Sequence, residues 1–284
     1  MTSEFKYSAV ILGDDAAFDF AIQNRDKYFR NTPLIYEDIN SIEKAEKYKG
    51  DALISGVVEA FPMKETIQLA ATVQKDAARV VVITDNSVSG SGSAQQAMAQ
   101  QKEFPNLKFE LFDTSSMSAD EIRRNIAAYG KDTILLYTVF NVDGSGSRYT
   151  LAQGIKLITD AAKVPVFKAD EAGLGDGLIG GYMLSYQSIG QQTADLVRNA
   201  LNGIKPGNEN YRVGSCVYEF DWKVMEKYGI SKADLPGSAV YINTSPTFFE
   251  QYETVIIPAV CCAAVRCARC AATVPALSFL ISSP

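Results

Sequence analysis

The chain has 284 residues, 47% of them apolar and 21% charged, with a formal net charge of −6. This is the make-up of an ordinary soluble protein, long enough for two α/β lobes. The acidic balance and the lack of any basic stripe exclude nucleic acid as a partner, since phosphates are held by clustered Lys and Arg. There is no histidine, which excludes Ser-His-Asp triads, HExxH zinc sites and Cys₂His₂ fingers and removes the commonest general base.

In chain order, β-rich apolar runs predict strands over residues 7–12, 33–36, 52–58, 79–84, 107–112, 133–139, 164–168 and 178–185. Most are continuous rather than alternating, as in strands covered on both faces. Helices are predicted between them. Residues 16–29 carry Phe18, Ile22, Arg25 and Phe29 at helical spacing, and 64–74 carry Ile67, Ala70, Ala71 and Gln74. Ser118 and Glu121 form a capping box ahead of Ile122 and Ile126, which supplies acceptors for orphan amides at a helix start. Helices over 154–162 and 188–201 follow, the second with Ile189, Thr193, Leu196, Val197 and Ala200 on one stripe and Gly203 just past its end. Such alternation builds right-handed βαβ units. The expected fold is α/β, with two hinged Rossmann-like lobes of parallel sheet.

The expected division is a first lobe of residues 5–77 plus 178–206, a second of 78–177, a segment 207–253 packing across both, and an atypical tail 254–284. Cys216 stands alone until Cys261, Cys262, Cys267 and Cys270 crowd into the tail. That spacing lacks a second CxxC pair, so no metal site is expected. Residues 254–265 are apolar, but Arg266 and Arg269 interrupt the run before it reaches the ~18 residues a membrane helix needs. The opening residues 1–6 are polar and show no signal peptide.

Candidate binding residues lie where predicted strands end. Gly13-Asp14-Asp15 ends the first strand; Asp15 is expected to cap the next helix while Asp14 faces a cleft. Glu37, Asp38 and Asn40 follow the second strand. The run Thr84 to Ser93 includes Asp85, Asn86 and Ser87 and precedes a helix expected near Ala94. It reads equally as an anion site at a helix N-terminus and as a plain capped turn. Phe140, Asn141 and Asp143 offer an aromatic face, an amide and a carboxylate to a polar organic ligand. Residues 165–190 set Asp170 and Glu171 in a glycine-bearing loop after a strand, as on the rim of an open-sheet cleft. Gly175-Asp176-Gly177-Leu178-Ile179-Gly180 matches GxGxxG, but an extended run follows where a dinucleotide site needs a helix. The expectation is a hinge or cleft rim, with no cofactor.

Taken in order, several segments resemble one family. They are Ala9-Val10-Ile11-Leu12-Gly13-Asp14-Asp15-Ala16-Ala17, residues 29–33 with Asn40, Gly56-Val57-Val58-Glu59, Val82-Ile83-Thr84-Asp85-Asn86, Pro165-Val166-Phe167, residues 177–181 and Gly190. Phe220-Asp221-Trp222, Tyr228-Gly229-Ile230, Leu235-Pro236-Gly237-Ser238 and residues 249–252 complete the set. Over about residues 5–255 the chain resembles the ABC transporter substrate-binding type of the type I periplasmic-binding-protein fold. The nearest variant is the sensor module of membrane histidine kinases and diguanylate cyclases.

The resemblance implies a non-enzymatic, extracytoplasmic domain that binds an amino-acid-like or other small polar solute between its lobes, as part of a membrane signalling protein. Its partners would be the small molecule and a membrane-embedded signalling or permease protein. A solute-binding subunit of an ABC importer is the alternative, and a carboxylate-based hydrolase a third reading. Family members usually carry a βαβα unit ahead of the strand that starts here at Tyr7, so an incomplete N-terminus is expected. The tail begins like a membrane helix at Val255-Ile256-Ile257 and then turns Cys- and Arg-rich, for which a reading-frame disruption is one hypothesis.

Overall fold

The computed structural model describes residues 6–39, 42–208 and 210–245; Asn40 and the cysteine-rich tail lie outside the described residues. The elements run β1 (Val10–Gly13), α1 (Asp14–Gln23), α2 (Arg25–Tyr28), β2 (Leu34–Ile39), α3 (Ile42–Lys47), β3 (Ile54–Val58), α4 (Met63–Val73), β4 (Arg79–Thr84) and α5 (Val88–Met98). They continue with β5 (Lys108–Asp113), α6 (Ala119–Ala128), β6 (Thr133–Tyr137), α7 (Leu151–Ala161), β7 (Val166–Phe167), β8 (Gly180–Leu184), α8 (Tyr186–Leu201), β9 (Tyr211–Val213), β10 (Cys216–Asp221), α9 (Trp222–Tyr228) and β11 (Val240–Ile242).

These strands form two sheets, a four-stranded one in the order β1-β2-β3-β9 and a seven-stranded one in the order β11-β10-β8-β7-β6-β4-β5. Both belong to one compact unit. Every pairing in the first sheet is parallel. The second is parallel except where β10 runs against β8. The α/β fold with two parallel-rich sheets therefore stands as the sequence predicts.

The continuous apolar strands are buried on both faces. Leu34, Tyr36 and Ile54 pack with Phe18 and Ala21 of α1 on one side of the first sheet, and Ile35 and Val57 with Ile189 and Leu196 of α8 on the other. Val80, Val82 and Ile134 face α4 and α5 in the second sheet, while Val81, Ile83 and Leu135 face α6 and α7. Each fully buried Val, Leu or Ile contributes roughly 1.5–3 kcal/mol relative to exposure. The predicted capping box forms at α6: Ser118 N donates to the Glu121 carboxylate at 2.8 Å, and Ser118 Oγ accepts from Glu121 N at 3.5 Å.

The chain passes between the sheets at three places among the described residues. It leaves the first sheet after Val58, because the apolar face of α4, with Met63, Ile67 and Ala70, packs on the second. Thr66 Oγ1 of α4 donates to the Tyr182 carbonyl of β8 at 2.6 Å. It returns at Ser185, where α8 begins, and crosses again after β9, where Gly214 N donates to the Val58 carbonyl at 3.0 Å. Residues 63–73 and 180–184, grouped above with the first lobe, thus pack with the second sheet.

Gly180 shows why a glycine closes the loop before β8. Its φ is +114°, and a Cβ there would lie 2.0 Å from the Glu219 carbonyl oxygen, so only glycine allows β8 and β10 to approach.

Candidate ligand cleft between the two sheets

In open parallel sheets, ligands meet the carboxyl ends of the strands. The first sheet presents several acids there, among them Asp14, Asp38 and Glu59. Asp14 follows β1 with φ 70°, and Asp38 lies in β2 with φ 55°. This left-handed conformation is one that Asp tolerates better than most residues. Among the described residues Asp14 Oδ1 accepts from its neighbour, Asp15 N, at 2.6 Å. Asp15 does not cap α1: Gly13 holds the cap position without a side-chain bond, and Asp15 pairs with Lys44 at 2.8 Å. Asp38 Oδ1 is buried with no hydrogen-bond partner among the described residues, and burial, then Glu37 and Asp14, raise its carboxyl above the ordinary range.

The third acid, Glu59, directly follows β3 and is 8% exposed. Its N–H donates to the Ile39 carbonyl at 2.9 Å, and its Oε1 accepts from the Tyr186 hydroxyl at 2.8 Å. Tyr186 opens α8, so this bond joins the segment leaving the first sheet to the one returning to it. Burial pushes the Glu59 carboxyl up to about 7; the Tyr186 donor opposes the rise, and the charges of Asp38, Asp170 and Asp14 add to it.

The rim of the second sheet is differently organised. Asp85, after β4, is 1% exposed. Its Oδ1 accepts from Ser87 N at 3.0 Å, and its Oδ2 accepts from Asn141 N at 2.7 Å. Ser87 caps α5, accepting from Gly90 N at 3.1 Å. The helix therefore starts at Val88 rather than near Ala94, and the Ser/Gly run is its first turns instead of a loop. A side chain at Gly90 would put Cβ 2.4 Å from Asp85 Oδ1. Asn86 and Asn141 carry the exposed side chains here.

Phe140 does not offer an open face. It is 1% exposed, and its ring packs against Tyr149 with centroids 4.7 Å apart. Asp143 is likewise buried, accepting from Ser145 N at 2.9 Å, Ser147 N at 3.0 Å and the Tyr149 hydroxyl at 2.7 Å. Burial alone would raise its carboxyl; these donors outweigh that and hold it below the ordinary range.

Asp170, after β7, takes the buried Lys168 ammonium and accepts from Ala172 N at 3.1 Å. Glu171 Oε1 accepts from Gln187 N at 3.1 Å in the first turn of α8. The GxGxxG run leads into β8, a strand, so it lacks the helix N-terminus on which a pyrophosphate would sit.

The structure brings several of these residues together. Asp85 is bonded to the backbone of Asn141, and the charges of Asp85 and Asp170 both bear on the buried Tyr137 hydroxyl. Asp170 also bears on Tyr186 and Glu59, together with Asp38. Sequence reasoning missed Glu59, Tyr186 and Lys168. A signal for Glu59 was present: an acid directly after Val57-Val58, the apolar end of β3. Tyr186 had none, since its partner Glu59 lies 127 residues away, whereas the partner of Lys168, Asp170, is only two residues on. Among the described residues no cluster of His, Cys, Asp and Glu is arranged to hold a metal ion.

The family model described as ABC transporter substrate binding protein matches residues 32–234. No curated protein matches the chain. Among solved structures, the ABC domain in complex with L-Trp from Streptococcus pneumonia aligns with TM-score 0.58 and 15% identity over 83% of this chain and 81% of that one. A ligand-free, open substrate binding protein with adhesive properties from Clostridium difficile aligns with TM-score 0.65 and 14% identity over 86% and 80%. A conserved domain protein from Vibrio cholerae aligns with TM-score 0.58 and 17% identity over 83% and 78%. At these identities the likeness is one of fold.

Proposed function

Because the chain belongs to the family of ABC transporter substrate binding proteins, we propose that it is a non-enzymatic, extracytoplasmic domain that holds a small polar solute between its two sheets. The observation that carries this reading is the meeting of both rims at the seam. Asp14, Asp38 and Glu59 come from the first sheet, Asp170 from the second, and the Glu59–Tyr186 bond lies between them. Closure about the three crossing segments would be favoured by a solute that binds the closed arrangement better than the open one. The residues proposed to contact it are Asp14, Asp38, Glu59, Asn86, Asn141, Asp170 and Tyr186; Asp85, Ser87, Phe140, Asp143 and Glu171 hold the frame. An amino-acid-like solute fits this polar rim, and the Streptococcus pneumonia neighbour shows the same fold in complex with L-Trp.

The membrane partner is proposed to be a signalling protein of which this chain is the sensing domain. The second reading, a solute-binding subunit delivering to an ABC permease, is favoured by the description of the matching family. Deleting the gene separates them: loss of solute uptake marks the importer, and loss of a solute-dependent response with uptake intact marks the sensor. Calorimetry of the protein against panels of amino acids, polyamines and sugars tests the binding reading itself. Saturable one-site binding is the expected result, and heats no different from dilution across every panel would end the reading.

A further inference from the structure

The identity of the solute's charge follows from groups that the rim leaves uncompensated, and this step rests on the cleft reading above. We propose that Glu59 is the specificity-determining residue of the cleft and that it selects a solute bearing an ammonium group. Glu59 is buried, with one carboxylate oxygen engaged by the Tyr186 hydroxyl at 2.8 Å. Nearby, Asp38 Oδ1 is a buried acceptor with no donor among the described residues. A buried acceptor without a donor is costly, and an ammonium brings three donors at once.

The titratable and charged groups facing Glu59 are Asp38 on β2, Asp14 at the start of α1, Asp170 after β7 and Tyr186 on α8. Among the described residues, Lys168 beside this group is buried and engaged by Asp170. On the first sheet Lys44 is engaged by Asp15 and Asp19. A sugar would leave the acids facing one another, and a dicarboxylate would add to their repulsion. An ammonium supplies the missing opposite charge.

A proton balance follows. Without ligand the Glu59 carboxyl sits near 7, held up by burial and by its acidic neighbours. An arriving ammonium stabilises the carboxylate, so the carboxyl proton leaves to solvent while the amine keeps its own. Binding then releases up to one proton, and affinity rises with pH until Glu59 is ionised in the free protein.

Calorimetry on the full chain tests this with putrescine, L-leucine, glucose and succinate as probes, in two buffers of different ionisation enthalpy. The expected result is binding of an amine-bearing probe with buffer-dependent heat and an affinity gain of about tenfold between about pH 6 and about pH 8. Glu59→Gln, which keeps an acceptor for Tyr186, is expected to weaken that binding by about tenfold or more and to remove the pH dependence. Thermal unfolding of the variant confirms that it folds. If glucose or succinate binds and the amines do not, or if amine binding is indifferent to both pH and Glu59→Gln, the cleft reading stands and this inference falls. If no solute binds in this set or in the wider panels, both fall together.

Discussion

The two rims carry the same residue type at the same topological position and use it in opposite ways. On the second sheet, Asp85, Asp143 and Asp170 are buried and bonded to backbone amides, Asp143 and Asp170 within their own loops and Asp85 in its own loop and in the loop after β6. On the first, Asp14, Asp38 and Glu59 have few donors, and the charges bearing on Glu59 are those of other acids. An acid at a strand end is thus a loop staple on one sheet and an uncompensated charge on the other. Removing a staple should cost stability, whereas neutralising an uncompensated charge should restore some.

The largest expected effect tests the staple. Asp85→Ala leaves Ser87 N and Asn141 N without their acceptor and detaches the start of α5 from the loop after β6. Each orphaned buried donor costs about 1–3 kcal/mol, so a loss of about 3 kcal/mol is expected in denaturant unfolding. A loss below about 0.5 kcal/mol would mean that water replaces the carboxylate without penalty, and the contrast between the rims would disappear.

The opposite sign is expected at Glu59. Its folded carboxyl lies near 7, above the ordinary value of 4.5, so the folded state prefers the protonated form. The stability from that preference is fully present below the ordinary carboxyl range and is lost as pH rises from there through about 7. Glu59→Gln should therefore match the parent near pH 4 and be more stable by about 2 kcal/mol near pH 8. Parallel stability–pH curves for the two proteins would remove Glu59 from the contrast.

Much of this frame was legible in the sequence. The run 79–84 is β4 to the residue, and 133–139 and 52–58 overrun β6 and β3 by two residues each, because strands covered on both faces announce themselves as runs rich in Val, Ile and Leu. The strands β9, β10 and β11 were missed. They are short or only partly buried, and β10 pairs antiparallel with β8, so their sequences carry no such run. The start of α5 was missed because Ser and Gly signal turns, whereas here Gly90 is required by contact with Asp85. The site was legible as a set of strand ends. What local sequence could not show was which acids find donors, since the amide that engages Asp85 belongs to Asn141, 56 residues away. Nor could it show that Phe140 turns inward onto Tyr149.

A smaller effect separates charge from shape at a staple. Asp143→Asn keeps an oxygen for the Ser145 and Ser147 amides but loses the charge-assisted bond from Tyr149. About 1 kcal/mol of stability should be lost at neutral pH. The folded carboxyl lies below its ordinary value, so its contribution is present above the ordinary carboxyl range and is lost as pH falls through the folded value. The difference between parent and variant should therefore shrink in acid, as it does for Glu59→Gln, but here the variant is the less stable of the two at neutral pH.

The smallest expected effect is at Asp14, where the contrast is most easily broken. Among the described residues its carboxylate accepts from the adjacent Asp15 amide alone, and it is exposed; its left-handed φ of 70° suits Asn at least as well as Asp. Asp14→Asn keeps the acceptor and the backbone preference while removing one of the charges that bear on Glu59. Stability at neutral pH should change by less than about 0.5 kcal/mol, while the Glu59 carboxyl, followed by NMR of a side-chain-labelled sample, should titrate at a lower pH than in the parent. A large loss of stability would make Asp14 a staple like Asp85, and an unmoved Glu59 titration would show that the acids of the first rim do not share one field. Only a small change in stability together with a shifted titration keeps the first rim a set of charges waiting for a counter-charge.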